Sequence, residues 1–174
     1  MTLIRPMRSR GNHIRSPVGS EPPPTPGRFN RGHPGSQHHL IVEGHGLPLA
    51  VTLTGANRHD ITQLLPLLDA VPPIRGRRGR PRRRPSTLYG DRGYDSNPHR
   101  RRLRARGIRP RIARPGVGHG SGLGKVRWVI ERGFAWLHAF KRLRTRYERR
   151  ADIHLGFLRL ACALICHREL TNSL

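Results

Sequence analysis

Two acidic residues stand out as able to do chemistry: Asp91, closing Ser86-Thr-Leu-Tyr-Gly-Asp91, and Glu131, in Arg127-Trp-Val-Ile-Glu131-Arg. They stand out because the 174-residue chain has ten Asp and Glu against thirty-four Lys and Arg. A carboxylate where a buried strand runs into a Gly turn faces the rim of a sheet, where α/β folds build sites. Carboxylates that converge from separate elements can hold Mg2+ or Mn2+, which prefer oxygen ligands. Two such ions would activate a water or a 3′-hydroxyl and stabilise the leaving oxygen of a phosphodiester. Each acid also has a structural reading. Asp91 serves as a turn or cap residue, and Glu131 as an i,i+4 partner of Arg127 contributing roughly a few tenths of a kcal/mol. Spacing alone favours these structural readings.

The elements that must position the acids are legible as an α/β pattern. Residues His39 to Glu43 and Pro48 to Thr54 read as strands around the turn Gly44-His-Gly46, making a hairpin. Asp60 is the expected cap of a helix carrying Ile61, Leu64, Leu65 and Leu68, which Pro72-Pro73 ends. Ser86 to Asp91 reads as a short buried strand. Asn97 to Gly107 reads as a helix capped by Asn97, with Pro98 in its first turn, and Arg109 to Ala113 as a short strand. A Gly-rich loop leads to a long helix over 125–146, with Arg127, Glu131, His138 and Arg142 along one polar face. A last helix over 153–170 is apolar nearly all round at its centre, so it is expected to be buried. Pro- and Gly-rich composition marks residues 1–36 as a disordered or aberrant N-terminal segment, and 37–174 as the domain.

Charge sets the class of partner. The net charge is +24 and the pI about 12.0. Arg dominates the basic residues and suits bidentate phosphate contacts, so the chain is expected to bind polyanions with steep salt dependence. Seven of these arginines fall within residues 75–84, a solvated basic loop or a grip on a DNA backbone. Two cysteines, Cys162 and Cys166, exclude a disulfide framework and read as core thiols, although His167 could share their helix face. No apolar run is long enough to span a bilayer. His33, His38, His39 and His45 match no zinc spacing and read as polar surface residues. Trp128, Phe134 and Trp136 read as core and flank packing rather than base-stacking platforms.

Several words in the sequence carry a resemblance. They are Gly46-x-Pro48-Leu-Ala followed by Thr54-Gly-Ala56-Asn57-Arg58-x-Asp60, then Leu88-Tyr-Gly-Asp91-Arg-Gly-Tyr94-Asp95, Arg127-Trp-Val-Ile-Glu131-Arg, and Leu143-Arg-Thr-Arg-Tyr147-Glu148-Arg-Arg. In this order they resemble the DDE transposases of bacterial insertion sequences, in the group usually numbered four and five, over residues 34–170. The resemblance implies an RNase H-like core in which three acids bind two divalent metals, Mg2+ or Mn2+, to cut and join DNA. It makes Asp91 the second acid and Glu131 the third. Arg127, with Lys141 and Arg142, is placed at DNA, and Tyr94 becomes structural support for the site. It also implies DNA partners, both insertion-sequence ends and target, a homodimer within a transposition complex, no membrane, and a nucleoid-associated place in the bacterial cytoplasm.

The departures from the family pattern are as informative. The first acid is expected on a first strand upstream of the hairpin, before a Ser-His-Ile-Arg-like string. Asn12-His-Ile-Arg15 resembles a remnant of that string, yet residues 1–11 contain no Asp or Glu. The family's N-terminal DNA-binding region is not found, and Gly124 stands where a Tyr is common. Glu21 and Glu43 are poor substitutes for the first acid, because metal geometry tolerates little displacement. The expectation is therefore an RNase H-like domain truncated at its first strand, from a truncated or frameshifted copy, that binds DNA with impaired catalysis. The alternative is a catalytically inactive basic DNA-binding remnant of a transposase.

Overall fold

A computed structural model describes residues 2–11, 36–75, 79–114, 116 and 123–172, with 2–11, 123 and 125 described by backbone only. The chain forms an open mixed sheet with helices on both faces. Its strands are β1 (Thr2–Gly11), β2 (Ser36–Val42), β3 (Pro48–Gly55), β4 (Thr87–Gly90), β5 (Arg109–Ile112) and β6 (Thr145–Arg146). The helices are α1 (Leu64–Asp69), α2 (Asn97–Ala105), α3 (Leu123–Ala139), α4 (Lys141–Arg144) and α5 (Ala151–Asn172).

Strand order is β3-β2-β1-β4-β5. The expectation of a disordered segment over 1–36, and of a sheet lacking its first strand, does not hold for Thr2–Gly11. These residues form the central strand, antiparallel to β2 from Leu3↔Val42 to Ser9↔Ser36 and parallel to β4 from Thr2↔Leu88 to Ile4↔Gly90. β2 pairs with Leu3 to Ser9 along one edge of this strand, and β4 with Thr2 to Ile4 along the other. β1 outruns β4, and its far end pairs with β6 at Arg10↔Thr145 and Gly11↔Arg146.

The hairpin of β2 and β3 forms where the sequence indicates. Gly46 sits at φ +95°, a conformation open to glycine, and the Glu43 carboxylate accepts from the amides of His45 (2.6 Å) and Leu47 (3.1 Å). Side chains alternate between two cores. Leu40 and Val42 face α3 and α5, packing with Val129, Phe134, Leu137 and Leu158. Ile41 and Leu88 face α1 and α2, packing with Leu64, Leu67 and Leu103.

Four helix expectations need correction. His59, not Asp60, precedes the helical residues over 60–69 and offers no side-chain cap, while Ser96 rather than Asn97 occupies the cap of α2. The long helix stops at Ala139, because Phe140 turns extended (φ −80°, ψ 108°) and the chain re-enters as α4 and β6. Tertiary contacts win there over helical pattern: the Arg146 guanidinium donates to the carbonyls of Glu148 and Arg149, each at 2.8 Å, and to the Ser36 hydroxyl. Helix α5 is buried along one stripe only, His154, Leu158, Ala161 and Ile165, and leaves Leu160 and Leu164 exposed.

Gly133 lets α3 approach the hairpin. A Cβ there would lie 2.8 Å from Val42 Cγ1 and 3.0 Å from the Gly46 carbonyl oxygen. Gly133→Ala would gain about 1 kcal/mol of helix propensity. Overpacking against a turn already fixed by Glu43 costs about 1–3 kcal/mol. The expected outcome is a net loss of stability, read as a lower urea midpoint with an unchanged slope; a raised midpoint would refute the packing argument.

Candidate nucleic-acid site

Asp91 is the residue at which β4 leaves the sheet. Its predecessor Gly90 pairs with Ile4 of β1 and Ile112 of β5, so Arg5 is the next β1 residue, level with Asp91. Tyr89 packs toward the α3-side core, and alternation puts Asp91 on that same side. Beyond this point β4 turns away, and β1 runs on to pair with β6 at Arg10 and Gly11. The exit of a strand such as β4 is a position where α/β folds place ligands.

The carboxylate of Asp91 caps the short 3-10 turn Arg92–Tyr94, its Oδ1 accepting from the Arg92 amide at 2.6 Å. That turn is strongly supported. Arg100 is buried and donates to Asp95 Oδ1 (2.6 Å) and to the Ile112 carbonyl (2.7 Å), tying the turn to α2 and β5. Tyr94 is fully buried, and its hydroxyl meets His39 Nδ1 at 2.8 Å. Burial, with the negative charges of Asp60 and Asp91, drives its ionisation far above the usual tyrosine range. Asp60, expected as a helix cap, instead receives Gln37 Nε2 at 2.5 Å and lies against Gly93, where a Cβ would come within 2.5 Å of Asp60 Oδ2.

Glu131 lies on the exposed flank of α3 and accepts from Arg127 Nε at 2.8 Å, both side chains half exposed. The opposite flank, Val129 and Arg132, is against the Gly46 turn beside β3. The structural reading of each acid is therefore realised: Asp91 caps a turn, and Glu131 has its i,i+4 partner. Among the described residues no three His, Cys, Asp or Glu side chains gather closely enough to hold a metal ion. Two carboxylates, each already accepting a protein hydrogen bond, do not by themselves make a two-metal centre.

The remaining candidates are placed as follows. Lys141 is exposed at the start of α4. Arg142 pairs with Glu148 Oε1 at 3.3 Å and lies over the Phe157 ring. The described part of the arginine loop is exposed, pinned by reciprocal backbone bonds between Ile74 and Arg82 (2.9 and 2.8 Å). It borders an open groove of about 530 Å³ with Arg83, Arg84 and the Arg106–Asp69 pair. Glu43 is occupied by its turn, while Glu21 and His33 lie outside the described residues. Phe134 is buried, Trp136 flanks the core, and Trp128 is exposed with Arg132 over its ring. Burial pushes the Cys162 thiol up to about 12 and raises Cys166, whose Sγ contacts the Pro48 carbonyl, so neither is a thiolate near neutrality.

Two histidines correct the expectation of surface residues. His38 and His39 are buried on opposite faces of β2. His38 Nε2 meets His154 Nε2 at 2.9 Å, and His154 Nδ1 meets Glu148 Oε2 at 3.3 Å. The chain of bonds sets the tautomers: His154 donates from Nδ1 to the carboxylate, so its Nε2 accepts from His38. Glu148 stays ionised below the usual carboxylate range. Burial opposes this, but a backbone bond, His154 and Arg142 outweigh it. Local pattern does not show this network: a strand taken to start at His39 leaves Ser36, Gln37 and His38 outside the sheet and hides the burial of β2 on both faces.

An open mixed sheet with Asp91 at the exit of β4, in a chain of net charge +24, is an architecture suited to polyanions. Residues 19–166 match the Transposase DDE domain family. A protein of Burkholderia cepacia, named as a transposase of insertion sequence element IS402, is 60% identical over 148 residues, 85% of this chain and 70% of that protein. The transposase of insertion sequence element IS1106 from Neisseria meningitidis serogroup B is 26% identical over 137 residues, 73% of this chain and 42% of that one. Among solved structures, the Mos1 strand transfer complex is similar at a TM-score of 0.37 and 10% identity, over 93% of this chain and 51% of that one, too distant to carry an argument. The chain belongs to the DDE transposase family, and its fold is RNase H-like. That family supports DNA transposition and generally uses divalent metal ions. Among the described residues no helix is long and apolar enough to cross a membrane.

The buried histidines give a pH dependence. Burial first, then the neighbouring His154, lowers His38 from 6.5 to about 3, and burial lowers His39 to about 4. Folded-state values below the unfolded value mean that stability is complete above about pH 6.5 and falls as pH drops toward 4. Each histidine contributes a slope of up to about 1.4 kcal/mol per pH unit in that window. Urea midpoints should fall between pH 7 and pH 5, and His38→Gln should flatten the decline. A midpoint independent of pH over this range would contradict the buried neutral pair.

Proposed function

We propose that this chain is the DNA-binding catalytic-domain part of an insertion-sequence transposase whose metal site lacks one member. The observation that carries this is the composition of β1. The central strand is present, and none of its residues from Thr2 to Gly11 is an acid. Arg5 follows Ile4, the β1 partner of Gly90, as Asp91 follows Gly90, and a first carboxylate at that level would complete a set with Asp91 and Glu131. In the family's scheme Asp91 is the second acid, Glu131 the third, and divalent metal supplies the activated oxygen nucleophile. In this chain an arginine residue replaces the carboxylate, so metal-dependent cleavage and strand transfer of insertion-sequence DNA are impaired. Binding is retained, because it rests on the arginines: Arg127 beside Glu131 on α3, with Lys141 and Arg142 on α4, would meet substrate phosphates.

The test uses a labelled duplex carrying an insertion-sequence end, with Mn2+. The expected result is binding that does not need the metal, and no strand cleavage. Robust cutting abolished by Glu131→Gln would show that the acid set is complete after all. A second variant locates the missing member. Arg5→Asp should produce a Mn2+-dependent rise in Tm that is lost when Asp91→Asn is added; no rise would place the first acid elsewhere.

A second reading, a fully inactive basic remnant, is favoured by the engagement of both acids with protein donors. The two readings separate on the unsubstituted chain. A metal-dependent rise in Tm lost in Asp91→Asn argues for residual metal binding, and its absence for the remnant.

A further inference from the structure

Most arginines with a described ion pair serve the fold: Arg100 with Asp95, Arg106 with Asp69, Arg142 with Glu148, Arg150 with Asp152. Arg109 and Arg111 differ. They lie on β5, last in the strand order, and both are exposed. Neither side chain is in an ion pair with any described residue. Their backbone is firmly held, with the Arg109 amide on the Ser86 carbonyl (2.9 Å) and the Ala113 amide on that of Gly90 (3.2 Å).

Register determines which way they face. Arg109 pairs with Thr87 and Arg111 with Tyr89, while Pro110 pairs with Leu88 and Ile112 with Gly90. Leu88 and Ile112 are buried under α1 and α2. Arg109 and Arg111 therefore stand on the other face, beside Thr87 and Tyr89 and on the same side as Asp91. On that face α3 covers β1 and β2, and α5 covers β3. Tyr89 is the point at which the core reaches β4, and beyond it the sheet ends in the two arginines. Two residues apart on a strand, they are roughly 7 Å apart along it.

We propose that Arg109 and Arg111 form a DNA-backbone track on the open face of β4 and β5, leading to the crevice at Asp91. The inference rests on the reading of the chain as a DNA-binding transposase domain and adds to it a surface distinct from Arg127, Lys141 and Arg142. Charge decides the occupant. Two unpaired guanidinium groups on a rigid strand, with a partly exposed tyrosine and threonine between them and the core, suit phosphates. Contacts of this kind position the duplex and carry no sequence information.

The test compares Arg109→Gln/Arg111→Gln with a charge-matched control, Arg159→Gln/Arg168→Gln, on the exposed side of α5. Fluorescence anisotropy of a labelled random-sequence duplex is read across a KCl series. Loss of two phosphate contacts should make the log–log salt slope shallower by about 2, with the control shifted by less than half as much. Equal Tm values for both variants establish that folding is intact. Equal slopes for the two variants would overturn the track while leaving DNA binding by the chain in place. Failure of the unsubstituted chain to bind the duplex would overturn both readings.

Discussion

The constraint on which most of this structure depends is the burial of β2 on both faces. A strand in such a place is usually a near-continuous apolar run. Here its first half is Ser36, Gln37, His38 and His39, all buried. An unmet hydrogen bond in that setting costs about 1–3 kcal/mol. Several of them would consume the net stability of a small domain, about 5–15 kcal/mol. Each polar residue is accordingly matched by a partner from far away in sequence: Ser36 by Arg146, Gln37 by Asp60, His38 by His154, His39 by Tyr94 and Thr54. Gln37 Oε1 is the exception among these groups, with no partner among the described residues.

These matches decide the architecture around the crevice. His39 fixes Tyr94, and Tyr94 anchors the turn that Asp91 caps. Gln37 fixes Asp60, which packs against Gly93 in the same turn. On the other face His38 fixes His154, and His154 with Arg142 holds Glu148 next to the segment that returns to β1 as β6. The side chains of one strand thus position both the turn after β4 and the segment around β6. This arrangement also ties the crevice to pH, since the histidines at its base must remain neutral to stay buried.

Much of this was legible from residue types. The hairpin, the strand ending at Asp91, the basic helix after it and the amphipathic α3 all follow from local pattern and turn chemistry. The family words around Asp91 and Glu131 gave the fold. What pattern could not give was long-range. β1 lies next to a Pro- and Gly-rich stretch and becomes a strand through its pairing with β2 and β4. The break at Phe140 follows from the docking of Arg146, not from any helix-stop residue. The buried histidines look like surface residues because partners such as His154, 116 positions away from His38, are invisible to spacing. Asp60 and Glu148 stood inside the quoted words, and their acidity in so basic a chain was the available signal.

Charge gives the last step. In a chain of +24, a carboxylate is retained against a strong attraction to nearby guanidinium groups, and five of the nine described acids show the result. Asp95, Asp69, Glu131, Glu148 and Asp152 are each bound to an arginine. A metal site must hold its acids apart from such partners, which requires several carboxylates to converge and outcompete the arginines for a cation. With two acids and an arginine residue at the third position, the balance on the proposed reading tips the other way. The crevice then attracts phosphate more readily than metal, and the same geometry that would organise catalysis serves binding.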